Sequence, residues 1–412
     1  MNFLSIALFL IFSEICLFII VRLLRKDFQW LITTKDESPD LDSSGLKSFF
    51  LKSFDSSLGW VRKENTKGIE KGEKEITFYI DKYGSRTNPK SDKYIPTIAC
   101  FGDSYAFCRQ VDNDETWQYY LTESLKTGVF NFGVGNYGLD QALIRHKNIE
   151  LPNSIDNVIM AVVPETICRI QSLWKHYLEF GNTFAFKPKF NLDDGVLKLI
   201  ECKIQDEKDL RDYKKNLSFI KNNDRFYKEK FKKYQFRFPY LFSYLRNIIF
   251  NTKLFYFLIK RFLFRILGIE NHEVEDKPFS CIMENNIKLS HKLYNEKFSK
   301  DLFNSLLNEF AKNAKSKGQK PIFILLPQLI DIRIIKKNKS NPYSDFINNL
   351  NISDMKIFDF TETFLKIENL NEYYVNDKYG GHMSKKGNLL IAEKLIKILT
   401  SIKTKDKNAN HV

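Results

Sequence analysis

Two short stretches near opposite ends of the chain carry residues that could act together. Gly102-Asp103-Ser104 follows the apolar run Thr97–Phe101, and Asp377-Lys378-Tyr379-Gly380-Gly381-His382 precedes the last helical pattern. A serine hydroxyl becomes a nucleophile when a neighbouring base takes its proton, and histidine is the usual base. A serine just past a strand, at the start of a helix, also sits among backbone N–H groups that can hold an oxyanion. Of the six histidines, His382 lies in a glycine-flexed loop, and Asp377 is near enough in sequence to orient its ring, as a Ser-His-Asp triad requires. G-D-S alone recurs by chance. Its pairing with a histidine at a second strand–loop–helix junction is the informative feature.

The remaining candidates have simpler structural readings. Glu165 reads either as a helix cap or as a carboxylate at a strand edge, with capping favoured. His176 reads as packed or surface, His146 as structural, and Asp103 as a backbone anchor around the serine. Cys108 is near Ser104 only in sequence. The six cysteines are scattered with no CxxC pair, so neither a zinc knuckle nor a disulfide framework is indicated. No metal-ligand spacing and no phosphate-binding glycine loop occurs, so the expected chemistry calls for no metal and no cofactor.

Positioning Ser104 and His382 requires a sheet. Thr97–Phe101, Val158–Val163, Ile322–Leu326 and Ile357–Phe360 are short continuous apolar runs, as strands buried on both faces produce. Helical patterns lie between them. Asp114 or Thr116 can cap a helix through Leu125, Gly138–His146 opens another, Lys297–Lys315 is amphipathic, and Lys385–Thr400 closes the chain. Alternation of this kind predicts an α/β fold with a parallel sheet, whose ligands bind beyond the carboxyl ends of the strands.

The chain has 412 residues, 64 Lys+Arg against 50 Asp+Glu, and a formal charge of +14, which favours anionic neighbours without choosing among them. Phe3–Val21 is nearly all apolar and long enough to span ~30 Å of hydrocarbon. Arg22, Arg25 and Lys26 follow it, so the positive-inside rule puts the body of a bacterial inner-membrane protein in the cytoplasm. Glu14 inside that segment reads either as a helix–helix contact or as a tolerated impurity. The expected organisation is a transmembrane anchor (1–25), a linker with a small β-rich leader (26–94), a core in two parts (95–189 and 297–402), a helical insertion (190–296) and a polar tail (403–412). Within the insertion, Arg225–Arg265 holds eleven basic residues, one acidic residue and fifteen aromatics. That composition suits either a helix at a membrane surface or a lid with inward-facing aromatics. No recognisable nucleic-acid module supports an RNA or DNA partner.

Gly102-Asp103-Ser104, the run Asn131-Phe132-Gly133-Val134-Gly135-Asn136-Tyr137-Gly138, and His382 followed by Gly387-Asn388 resemble the first, second and last sequence blocks of the SGNH/GDSL superfamily of serine esterases and acyltransferases. The resemblance covers about 95–168 and 321–400. It implies a flavodoxin-like three-layer αβα sandwich with Val129–Phe132 as a further strand. It also implies catalysis by Ser104 and His382, for which Asp377, five residues before the histidine, is the nearest orienting aspartate, with an oxyanion hole at Ser104, Asn136 and Gly135 and an acyl-ester substrate. Three departures stand out: Asn136 replaces a glycine, the strand ending Val162-Val163-Pro164-Glu165 lacks the family's asparagine, and Tyr379 stands where an aspartate is usual. Losing one oxyanion donor costs ~3–4 kcal/mol of transition-state stabilisation. The expected activity is ester hydrolysis or acyl transfer on a surface glycan or lipid-linked saccharide, such as an O-acetylated one. The alternatives are a catalytically degenerate glycan-binding or scaffolding protein at the membrane, and a protein whose working part is the cationic segment.

Overall fold

A computed structural model describes residues 3–25, 38–71, 74–179, 181–375 and 381–409. The chain divides into two compact units. One draws on Met1–Leu51, Gln171–Lys187 and Glu201–Asn286, the other on Lys52–Ile170, Pro188–Ile200 and Ile287–Val412.

The second unit is mixed α/β around a five-stranded sheet. Its strands are β1 (Pro96–Gly102), β2 (Gly128–Gly133), β3 (Asn157–Val162), β4 (Lys320–Leu325) and β5 (Lys356–Asp359). They lie in the order β5-β4-β3-β1-β2, and every pairing is parallel. The chain therefore leaves β1 to one side for β2 and returns to its other side for β3, which makes the carboxyl end of β1 the switch point of the sheet. All residues of β2 and β3 are buried, which is why residues 158–162 read as an unbroken apolar run, while β2 carries a buried Asn131 within its apolar residues. Period-2 geometry sends Ile98, Cys100, Ile159 and Ile324 into a cluster with Trp117, Leu121, Ile391 and Leu395. Phe101, the neighbour of Cys100, meets the ring of His146 instead, and Phe323 meets Phe303.

The expected helices are present. Thr116 Oγ1 accepts from Tyr119 N at 3.1 Å and starts Trp117–Leu125, Gly138 precedes Leu139–Asn148, and Lys297–Ser316 and Lys385–Ala409 follow, with Leu329–Asn338 added between β4 and β5. The leader supplies the antiparallel pair Lys67–Lys71 and Glu75–Tyr79. The segment 190–296, expected to be helical, instead opens in the hairpin Lys189–Asp193/Val196–Ile200. Its two-residue loop, Asp194-Gly195, has φ of 50° and 80°, the left-handed pair that an Asp-Gly hairpin turn provides.

The first unit contains the helix Phe3–Leu23, long and apolar enough to cross a membrane. The basic, aromatic run splits in two. Tyr227 and Phe231 pack inward on Tyr177, and Phe231 also meets His176, so that histidine is a packed core residue. From Phe238 onward large apolar side chains face outward along the helices Tyr240–Arg246 and Ile248–Ile266. Glu14 is a helix–helix contact: its two carboxyl oxygens accept from Tyr240 N at 2.6 Å and Leu241 N at 2.7 Å.

Candidate active site

Ser104 is the first residue of a short helix, Ser104–Phe107, set directly on the end of β1. The sharp strand-to-helix change depends on Gly102, whose φ is 144°; a Cβ there would stand 1.7 Å from the carbonyl oxygen of Ala161 on β3. Only glycine lets β1 pass that close to its neighbour. Asp103 caps the helix by accepting from Tyr105 N at 2.9 Å and reaches across to Val163 N at 2.9 Å, which ties the serine turn to the end of β3. Asp103 thus anchors backbone, as its sequence position suggested.

The opposite end of the short helix is held by donors from elsewhere. Its last carbonyls would otherwise be orphaned in the interior. Arg86 Nη1 donates to Phe107 O at 2.8 Å and Cys108 O at 2.7 Å, and Gln118 Nε2 donates to Ala106 O at 2.7 Å. Burial lowers the Arg86 guanidinium to about 10. Cys108, whose Sγ lies 3.1 Å from Gln118 Oε1, is pushed up to about 12 by burial. A thiol so placed is a packed side chain.

His382 reaches the serine from the far end of the chain. The two-residue ladder of Tyr374–Val375 with His382–Met383 fixes its backbone, and the Asn388 amide donates to Met383 O and Ser384 O behind it. Gly381 has φ of 83°, and a Cβ there would meet Leu329 Cβ at 2.5 Å, so the glycine before the histidine is required by packing as well as by conformation. His382 Nε2 and Ser104 Oγ stand 2.9 Å apart, with the two residues 4% and 6% exposed. That is hydrogen-bond distance, and it allows an imidazole to take a serine proton. Tyr105 holds the pair together: its ring centroid is 5.0 Å from that of His382, and its hydroxyl donates to Gly381 O. Asp377, expected to orient the imidazole, lies outside the described residues.

Gly135 and Asn136 follow β2, adjacent to β1 and at the same sheet edge as Ser104. Tyr137 N donates to Val134 O at 3.3 Å, and Asn136 has φ of 69° at the third position of this turn, where glycine or asparagine is favoured. Asparagine therefore does the conformational work of a glycine. Trp60 Nε1 donates to Gly135 O at 3.0 Å and pins the turn from the leader. Both residues are partly accessible, and a Cβ on Gly135 would meet nothing within 4 Å, so the loop borders open space.

Glu165 departs from the expected capping role. It precedes the helix Thr166–Arg169 but makes no side-chain cap bond. Its carboxylate instead pairs with Arg169 at 2.6 Å, and Arg169 also reaches Asp103 Oδ2 at 3.3 Å and donates to Tyr137 O at 3.2 Å. In a buried setting a guanidinium satisfies a carboxylate better than a backbone cap does, since it cancels the charge as well. Burial pushes the Asp103 carboxyl above its ordinary range, and Arg169 pulls it partly back. Arg169, Arg86 and Tyr105 were not singled out from the sequence. Glu165–Arg169 has the i,i+4 spacing of a helical ion pair, which is a usable signal; nothing local marks the other two. His146 is buried as expected, bonded to Gln319 and Asn313 at 2.9 Å each, and burial lowers it to about 4.

No known family model matches this chain, and no curated protein sequence matches it.

Proposed function

We propose that the chain is a membrane-anchored serine esterase or O-acyltransferase of the SGNH/GDSL type. The observation that carries the reading is the 2.9 Å approach of Ser104 Oγ to His382 Nε2 at the carboxyl edge of a parallel sheet. The strand order β2-β1-β3-β4-β5 is that of flavodoxin-like sheets, which supports a three-layer αβα sandwich with the site at its switch point. In the proposed reaction Ser104 Oγ attacks an ester carbonyl while His382 takes the hydroxyl proton. The developing oxyanion is met by the N–H of Ser104 and by donors of the Gly135-Asn136 turn. Collapse expels the alcohol, which leaves with the proton from His382, and acyl-Ser104 is then resolved by water or a sugar hydroxyl. Asp377 is assigned to orient His382. The substrate class is an O-acylated surface glycan or lipid-linked saccharide, favoured by an anchor at Phe3–Leu23, with the body on the cytoplasmic side according to Arg22, Arg25 and Lys26.

The test is labelling of the full chain in detergent with a fluorophosphonate probe, beside Ser104→Ala and His382→Ala. The expected result is a single adduct on Ser104 that both substitutions abolish. Absence of an adduct on folded wild-type protein would overturn the reading. It would favour a catalytically silent glycan-binding or scaffolding protein. The observation pointing that way is that the end of β3 offers Glu165, locked on Arg169, where an amide donor would serve an oxyanion.

A further inference from the structure

A carboxyl group halfway along an apolar span needs partners that do not come from lipid. Glu14 lies 11 residues from Phe3 and nine from Leu23, the two ends of its helix, so it sits near the middle of a segment ~30 Å long. Its partners are the first two N–H groups of the helix Tyr240–Arg246, at 2.6 and 2.7 Å. The requirement is mutual. The leading N–H groups of a helix have no acceptor within it, and in hydrocarbon they have no water either. Each side of this contact satisfies a need that the other would have only inside a membrane.

The side chains around the contact extend the pattern. The helix Ile248–Ile266 packs one face, Leu254, Phe255 and Leu258, against Leu17, Ile20, Val21 and Leu24, the last two turns of the apolar span. Its opposite face carries Ile249, Tyr256, Ile259, Leu263 and Ile266 at helical spacing, all exposed, with Ile249 at 86%. Phe238 and Phe242, each 68% exposed, flank the Glu14 contact. A helix apolar on both faces is a helix meant to be surrounded. Of its four basic residues, Lys253 pairs with Glu284, Arg265 pairs with Glu275, Arg261 donates to Glu275 O at 3.2 Å and Lys260 lies 5.5 Å from the centroid of the Phe264 ring, while Arg22 and Arg25 close the span at the end where this helix packs.

We propose that Phe238–Leu267 is a membrane-inserted hairpin: the start of Tyr240–Arg246 dips to the bilayer midplane, where Glu14 holds it, and Ile248–Ile266 lies along the headgroup boundary with its outer face in acyl chains. The occupant of the exposed apolar face is the lipid bilayer, because that face is continuous with the span and its deepest polar atoms are already satisfied by it. The inference rests on the reading of Phe3–Leu23 as a membrane span.

The experiment is photolabelling of the full chain in phosphatidylcholine–phosphatidylglycerol vesicles containing a phospholipid with a diazirine near the end of one acyl chain, with adducts mapped by peptide mass spectrometry. Adducts in both 3–23 and 238–267 are expected. In Glu14→Leu, which leaves the span apolar, adducts within 3–23 persist while those around Phe238–Leu245 fall severalfold. Glu14→Gln, which keeps one acceptor oxygen, retains them. Adducts confined to 3–23 would overturn the inference while leaving the anchor intact, and would mean that protein covers this face. Adducts in neither segment would overturn the anchor reading and this inference with it. Unchanged labelling in Glu14→Leu would overturn the role given to Glu14.

Discussion

Replacing Arg169 with methionine isolates the ion cluster behind Ser104. Methionine keeps the unbranched stem and most of the volume but ends short of the guanidinium, so what is chiefly lost is the charge and its hydrogen bonds. Arg169 is buried, and so are both carboxylates it serves, Asp103 at 3.3 Å and Glu165 at 2.6 Å. Removing one partner from a buried ion cluster costs ~3–5 kcal/mol, because the remaining charges are left without compensation. At about 2–4 °C per kcal/mol for a large domain, Tm falls by roughly 6–20 °C. The sign of the pH dependence follows from Asp103, whose carboxyl burial already raises above its ordinary range. A group with a raised folded pKa contributes stability below its unfolded pKa, near 4, and that stability is lost as pH rises through the folded value. Without the guanidinium the folded value climbs further, so the deficit of the variant is small near pH 4 and grows with pH. Thermal unfolding followed by tryptophan fluorescence in detergent, from pH 4.5 to 8, measures it. Because Asp103 also caps the Ser104 helix, fluorophosphonate labelling slows by ~10-fold or more. A deficit below about 1 kcal/mol at pH 8, or one that does not change with pH, would refute the assignment of Arg169 as the compensating charge.

Two further substitutions probe the surroundings of the site. Tyr105→Phe keeps the ring beside His382 but removes the hydroxyl that donates to Gly381 O; stability falls by only ~1 kcal/mol, while labelling of Ser104 slows and its pH profile shifts, and Tyr105→Leu does both more strongly. A Tyr105→Phe protein with wild-type labelling at every pH would show that the hydroxyl does not position the histidine. His146, lowered to about 4 by burial, favours the neutral ring in the folded state, so its contribution is complete above about pH 6.5 and is lost as pH falls toward 4. His146→Gln should therefore flatten the fall in stability across that interval, by up to about 3 kcal/mol in acid unfolding titrations; an unchanged slope would assign the acid sensitivity elsewhere.

How much was legible in advance depended on the range of the interactions. Four of the five strands, the Thr116 cap and the start of Leu139–Asn148 were readable because continuous apolar runs and capping side chains act over a few residues, whereas Gly128–Gly133, interrupted by Asn131, was expected only from the family resemblance. Gly102-Asp103-Ser104 and His382 were readable for a related reason, since glycines and a serine at a strand end leave a local imprint. Asp194-Gly195 carries the same kind of local imprint, a hairpin turn inside a segment whose overall composition points to helix. Arg86 and Tyr105 left none. Their partners are 21 and 276 residues away, and a guanidinium clamping carbonyls or a hydroxyl bonding a distant backbone has no period to betray it.

Sequence alone, then, pointed to a parallel sheet, to several of its helices and to the junctions that carry Ser104 and His382, because apolar runs, capping side chains and glycine conformations act over near neighbours. Tertiary structure alone decided that Ser104 and His382 meet at 2.9 Å across 278 residues, that Glu165 pairs with Arg169 and makes no cap, and that Glu14 finds the start of a helix 226 residues away. These are matters of which distant groups the folded chain brings within hydrogen-bond reach. The free energy of such contacts depends on burial, which no local pattern of residues records.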